Sequence, residues 1–171
     1  MSSYSKLIIF ILALIVISAA IVLIDSSVDN INKTMPDISN SIVEGDSEYN
    51  EAVQLVNDKY YSDSMNKAIS AGNNYNNSLH KLQDIKTEFS KDINDVQNKY
   101  IDTVITELEL KIQAVDKLKE AIECFKVHSN STGTNYASEA NDLIYEATTY
   151  QNQRDTIVKE NQNLFKQNFI I

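Results

Sequence analysis

Residues 101–125 read IDTVITELELKIQAVDKLKEAIECF. Ile101, Ile105, Leu108, Ile112 and Val115 follow one another at steps of 4, 3, 4 and 3, and Leu118, Ile122 and Phe125 carry the stripe on. That alternation stacks apolar side chains on one face of a 3.6-residue turn. A strand, with its period of two, would scatter them over both faces. The spacing predicts a helix over about 94–128 with a coiled-coil-like seam in which Leu108, Ile112 and Val115 are core.

Toward the carboxyl end, Asn130-Ser131-Thr132-Gly133-Thr134-Asn135 has loop composition. A last helix is expected from about 135 to 166. Its seam of Tyr136, Ala140, Leu143, Ala147, Tyr150, Arg154, Ile157, Asn161 and Leu164 alternates steps of 4 and 3. Arg154 and Asn161 interrupt the apolar pattern, so the bundle either frays there or uses them to fix register. The seam is long enough to dock antiparallel on the third helix of the same chain, which predicts a monomeric bundle domain.

Toward the amino end, Ala68, Ala71, Tyr75, Leu79, Leu82, Ile85 and Phe89 mark a helix beginning after Tyr61-Ser62-Asp63-Ser64. Gly72 in its midst points to close approach of a neighbouring helix. No Gly or Pro lies between residues 73 and 132. The chain therefore turns near Ser90–Asn94 or continues as one helix about 100 Å long. A helix of that length needs an equally long partner, so a turn is expected. A shorter first helix, about 47–60, carries Ala52, Leu55, Val56 and Tyr60, with Gly45 before it and Asp46 or Ser47 as its cap. Residues 25–45, which hold the only proline, Pro36, read as a linker with room for one helical turn at Ile38, Ile42 and Val43. No alternating run suggests a strand.

Leu7 to Ile24 is an uncharged apolar run, LIIFILALIVISAAIVLI, preceded by Lys6 and followed by Asp25 and Asp29. Eighteen residues of helix span roughly 27 Å, close to the ~30 Å hydrocarbon core of a bilayer. The charges place the amino terminus inside and the remainder outside. Ser18-Ala19-Ala20 has the small residues of a signal-peptide cleavage site. Ile21-Val22-Leu23-Ile24 extends the run beyond the usual 7–15-residue signal core, so a retained anchor is expected. The expected fold is all-α: an N-terminal transmembrane helix, then an antiparallel bundle of three long helices and one short one. The expected organisation is a tail and anchor at 1–24, a linker at 25–45, an extracytoplasmic bundle at 46–167 and a tail at 168–171.

Beyond residue 24 the chain carries 14 basic and 24 acidic residues, 14 − 24 = −10. Such a domain does not condense on phosphate backbones, so no nucleic-acid partner is expected. The single cysteine, Cys124, excludes an internal disulfide and reads as a small buried hydrophobe. Asn32, Asn76 and Asn130 head Asn-X-Ser/Thr sequons, usable for glycosylation only outside the cytoplasm.

Chemistry-bearing patterns are sparse. His80 and His128 lack the neighbours of a metal site. Asp92-Ile93-Asn94-Asp95 starts like a calcium loop, but Gln97 stands where that loop needs glycine. Glu107, Glu109, Glu120 and Glu123 read as solvated helix surface beside Lys117 and Lys119. No catalytic residue, cofactor or metal is assigned. Tyrosine is enriched, nine against no tryptophan. Tyr49, Tyr60, Tyr61 and Tyr75 are candidate interface residues, since tyrosine buries a large body and keeps a polar tip.

The arrangement Ala52, Tyr60-Tyr61, Ala68, Ala71 and Tyr75 resembles a tetratricopeptide helical hairpin over about residues 47–80. In layout and Asn/Ile/Lys-rich composition the whole chain resembles single-pass helical surface proteins of methanogenic archaea. That resemblance implies an anchor and helices, and no site residues. The expected function is a membrane-anchored helical module for protein–protein interaction or envelope structure, without catalysis. Its partners would be the membrane through residues 7–24 and a protein. The alternative is a ligand-binding sensory input domain.

Overall fold

The computed structural model describes residue 21, residues 23–24 and residues 28–166. Expectations for residues 1–20 and 168–171 lie outside the described residues. Four helices dominate: α1 (Asp29–Asn57), α2 (Tyr61–Glu88), α3 (Asp95–Lys126) and α4 (Asn130–Glu160). A 3-10 turn follows at Gln162–Leu164, and two short strands, β1 (Leu23–Ile24) and β2 (Phe165–Lys166), bracket the helices. Helices of 28 to 32 residues are joined by connections too short for anything but antiparallel neighbours. The architecture is an all-α antiparallel bundle. α1 packs on α2, α2 on α3 and α3 on α4, while the backbones of α1 and α4 scarcely approach each other.

The turns are built by local chemistry. Asn94 caps α3: its side chain accepts from the Gln97 N–H at 2.9 Å, and the Gln97 side chain accepts from the Asn94 N–H at 3.2 Å. This reciprocal box ends the ambiguity at Ser90–Asn94 in favour of a turn. At the opposite end, α1 and α3 finish alike. Tyr60 N–H donates to Leu55 C=O and Lys59 N–H to Val56 C=O; Ser129 N–H donates to Cys124 C=O and His128 N–H to Phe125 C=O. Lys59 and His128 take positive φ, 66° and 60°, the left-handed residue of a Schellman cap.

Three expectations are corrected here. Residues 29–45 are not a linker and the first helix is not short: α1 runs through Pro36 and Gly45. Ile31, Met35, Ile38, Ile42, Tyr49, Ala52 and Val56 form one buried stripe across them, and burying it outweighs the roughly 3 kcal/mol cost of an interior proline. Residues 130–135 are not a loop, since α4 starts at Asn130. In both places glycine serves contact rather than a break. A methyl at Gly45 would stand 2.7 Å from the Tyr75 ring, and one at Gly133 2.5 Å from the Phe125 ring. Gly72 does face a neighbouring helix, with Val115 3.3 Å from the position of its missing Cβ.

The helix phases also shift. α3 lies between α2 and α4 and buries two stripes. Leu108 and Val115 are core, but Ile105 and Ile112 are only half-buried. The deeper seam is Tyr100, Val104, Glu107, Lys111, Ala114, Leu118, Ala121 and Phe125, all buried. On α4, Ala137 and Ile144 take the core positions expected of Tyr136 and Leu143.

At the end of the bundle where α1 begins and α4 ends, β1 and β2 pair antiparallel, Leu23 opposite Lys166 and Ile24 opposite Phe165. Ile21, Leu23, Ile24 and Phe165 are buried, and the Phe165 ring lies 5.0 Å from that of Tyr100. Of the apolar run, Ile21, Leu23 and Ile24 are therefore core, and Leu23 and Ile24 are strand rather than helix. No helix among the described residues is long and apolar enough to cross a membrane.

Candidate functional site: a charge network inside the bundle

Three of the four helices, α1, α3 and α4, meet through a set of ionised side chains that the apolar stripes carry to the centre. Asp46 follows Ile42 by four residues on α1, and Glu107 and Lys111 occupy consecutive positions of the deep α3 seam. Arg154 sits on the buried face of α4 between Ala147 and Ile157. Asp46, Glu107, Lys111 and Arg154 are each no more than 2 % exposed. The formal charges, −1 −1 +1 +1, sum to zero.

Lys111 Nζ is the hub. It lies 2.9 and 3.1 Å from the two Asp46 carboxylate oxygens and 2.9 Å from Glu107 Oε1. The Tyr75 hydroxyl donates to Asp46 Oδ1 at 2.7 Å, and Lys111 Nζ stands 5.6 Å from the Tyr75 ring centroid. Glu107 Oε2 continues the chain to Arg154 Nη1 at 3.5 Å, and Arg154 Nε reaches the more exposed Asp155 at 3.6 Å. The sequence Asp46–Lys111–Glu107–Arg154 thus links α1 to α4 through α3, across the gap their backbones leave.

Burial by itself would lower the Lys111 pKa; the Glu107 and Asp46 carboxylates outweigh it and hold the ammonium above its ordinary range. Arg154 is raised in the same way, burial opposing and Glu107 prevailing. Burial first, and then Asp46, pushes Tyr75 well above the usual phenol range. Burial also raises Tyr49, whose hydroxyl has no hydrogen-bond partner among the described residues.

A second polar layer ties α2 to α1. Ser64 Oγ donates to Ala52 C=O at 2.7 Å, while Ser70 Oγ and Asn74 Nδ2 donate to the Glu48 carboxylate at 2.6 and 2.9 Å. Two surface depressions lie away from the network. One, about 340 Å³, runs along Asp95, Asn98, Lys99, Asp102, Thr106 and Tyr150; the other, about 130 Å³, is floored by Gly72, Ile112 and Val115. No network residue lines either.

The structure separates the four candidate tyrosines. Tyr49 and Tyr75 are fully buried and offer nothing to an outside partner. Tyr61 is half-buried and stacks on Phe125 with ring centroids 6.2 Å apart, and Tyr60 is 61 % exposed. Asn32, Asn76 and Asn130 all lie in helices; Asn32 is half-buried, and the Asn76 amide donates to Gly72 C=O. Cys124 is half-buried rather than core. Glu107 is not solvated surface, and Asp46 is no helix cap: both are buried because the stripes around them are. Arg154 marks no frayed end. The legible trace was the unbroken 4–3 alternation from Tyr100 to Phe125, obscured because two of its members are charged. His80 and His128 are exposed. Among the described residues no group of three or more His, Cys, Asp or Glu is placed to hold a metal. No protein-family model, curated protein or solved structure matches this chain.

Proposed function

We propose that this chain is an extracytoplasmic, non-catalytic helical module that works by presenting a rigid surface to a protein partner. Lys6 before the apolar run and Asp25 and Asp29 after it support the outward direction. The observation that carries the reading is how the molecule distributes its polar and apolar groups. The convergent charges are spent on one another inside the bundle, while two of the four large apolar side chains exposed among the described residues stand together at one tip. Val127 is 71 % and Tyr60 61 % exposed. They occupy the two Schellman turns, which the Tyr61–Phe125 stack holds side by side. A catalytic role would need charged groups open to a substrate, and the network's are closed. The sensory-domain alternative rests on the open 340 Å³ trough alone.

The test is site-specific photocrosslinking in intact cells. A photoreactive residue at Tyr60 should give a discrete adduct that Val127→Asp abolishes while helicity is unchanged. Equal crosslinking from Tyr145, also exposed but on the side of α4, would show that the tip has no special role. Protease added to intact cells in their own medium should digest the bundle, whether it is cell-bound or released; protection until lysis would refute the outward placement.

A further inference from the structure

We infer that Ala20–Ile21 is a processing site: the apolar run is a leader removed by a signal peptidase, and the mature protein begins at Ile21 and is released. The inference rests on the extracytoplasmic reading above and changes what the run is for. As sequence, the run owed its membrane-spanning length to Ile21-Val22-Leu23-Ile24. The structure uses Ile21, Leu23 and Ile24 elsewhere. Leu23 and Ile24 are extended and paired with Lys166 and Phe165, and Ile21, Leu23 and Ile24 are 0, 5 and 0 % exposed. A side chain packed in the bundle core cannot also lie in lipid, and a backbone bonded to β2 is not part of a membrane helix.

What remains apolar is Leu7–Ala20, fourteen residues. As a helix they would reach about 21 Å, short of the ~30 Å hydrocarbon core. They match the 7–15 residues of a signal-peptide core instead, with Lys6 as the positive flank. The core ends in Ser18-Ala19-Ala20, small residues at the first and third positions before the proposed bond. The residues of the run that the structure places in the core, Ile21, Leu23 and Ile24, thus all lie on the carboxyl side of the bond that cleavage chemistry would select. The step is hydrolysis. Water adds across the Ala20–Ile21 peptide bond, Ala20 leaves with the carboxylate and Ile21 keeps the amine. It occurs on the unfolded exported chain, so the later burial of Ile21 does not obstruct it.

The experiment expresses the full chain in a secreting host and determines its amino terminus by intact mass in each cell fraction. The wild type should begin at Ile21 and be recovered outside the membrane fraction. Ala20→Phe, which places a large side chain at the scissile position, should keep residues 1–20 and sediment with membranes. Ala20→Ser should restore processing, which separates blocked cleavage from a folding defect. A wild-type chain that keeps residues 1–20 in the membrane, with its bundle open to external protease, overturns the cleavage and leaves the extracytoplasmic reading standing. An intact chain soluble inside the cell overturns both. A mature terminus at any other residue overturns the assigned bond.

Discussion

Lys111 is the residue on which the interior depends most. Its ammonium answers two buried carboxylates, Asp46 and Glu107, at 2.9 Å each. Lys111→Met would keep the volume, leave Asp46 without its cation and leave Glu107 with Arg154 alone. Breaking a buried pair in this way costs about 3–5 kcal/mol, and denaturant unfolding should show that loss. Replacing all four charged members by apolar residues of similar size should cost far less, because no uncompensated charge remains. Alkaline pH tests the same groups. Lys111 and Tyr75 both hold their protons more tightly folded than unfolded. Their contribution is complete below the unfolded pKa values, about 10 for both, and is lost as pH rises through the folded values. Thermal midpoints should therefore hold steady with respect to these groups between pH 7 and 9 and fall above about pH 10. Tyrosinate absorbance from Tyr75 should appear only with unfolding. A midpoint unchanged at high pH would contradict the network.

At the scale of the helices, close contact governs what single residues mean. Replacing an exposed helical glycine by alanine usually stabilises by about 1 kcal/mol. Gly133→Ala should do the reverse and cost about 1–3 kcal/mol, because the added methyl meets the Phe125 ring. Stabilisation on that change would place Gly133 in solvent and the start of α4 elsewhere. The two Schellman turns give the opposite expectation. Lys59 and His128 hold a left-handed backbone that costs a side-chain-bearing residue about 1–2 kcal/mol. Lys59→Gly and His128→Gly should each stabilise by about 0.5–1 kcal/mol, the remainder being lost to the greater freedom of glycine in the unfolded chain. Calorimetry on the two single variants and the double would measure each gain and any coupling between the adjacent turns.

Over the whole molecule, the bundle is an open series of helices, α1 to α4, held across its gap in two ways. The charge network bridges α1 and α4 in the middle, and the β1–β2 clasp ties their ends. Phe165→Ala removes the clasp's largest buried side chain and should cost about 3 kcal/mol. Hydrogen exchange should then quicken at the start of α1 and the end of α4 and leave the Schellman end unaltered. Uniform quickening would mean the clasp has no local role.

Helical class, the number of long helices beyond α1, the turn at Asn94 and the pairing of the last helix with the third were legible in the sequence, because periodicity and caps are local properties. Side-chain roles at Gly45, Asp46, Glu107, Gly133, Ile21, Leu23 and Ile24 were not. A glycine reads as a break until a ring from another helix lies on it, and an aspartate beside it reads as a cap until a lysine 65 residues away answers its charge. An apolar run reads as a membrane span until part of it is found in the bundle core. Local pattern states which faces avoid water; only tertiary structure decides what covers them, because burial and charge compensation are supplied by residues far away in the chain.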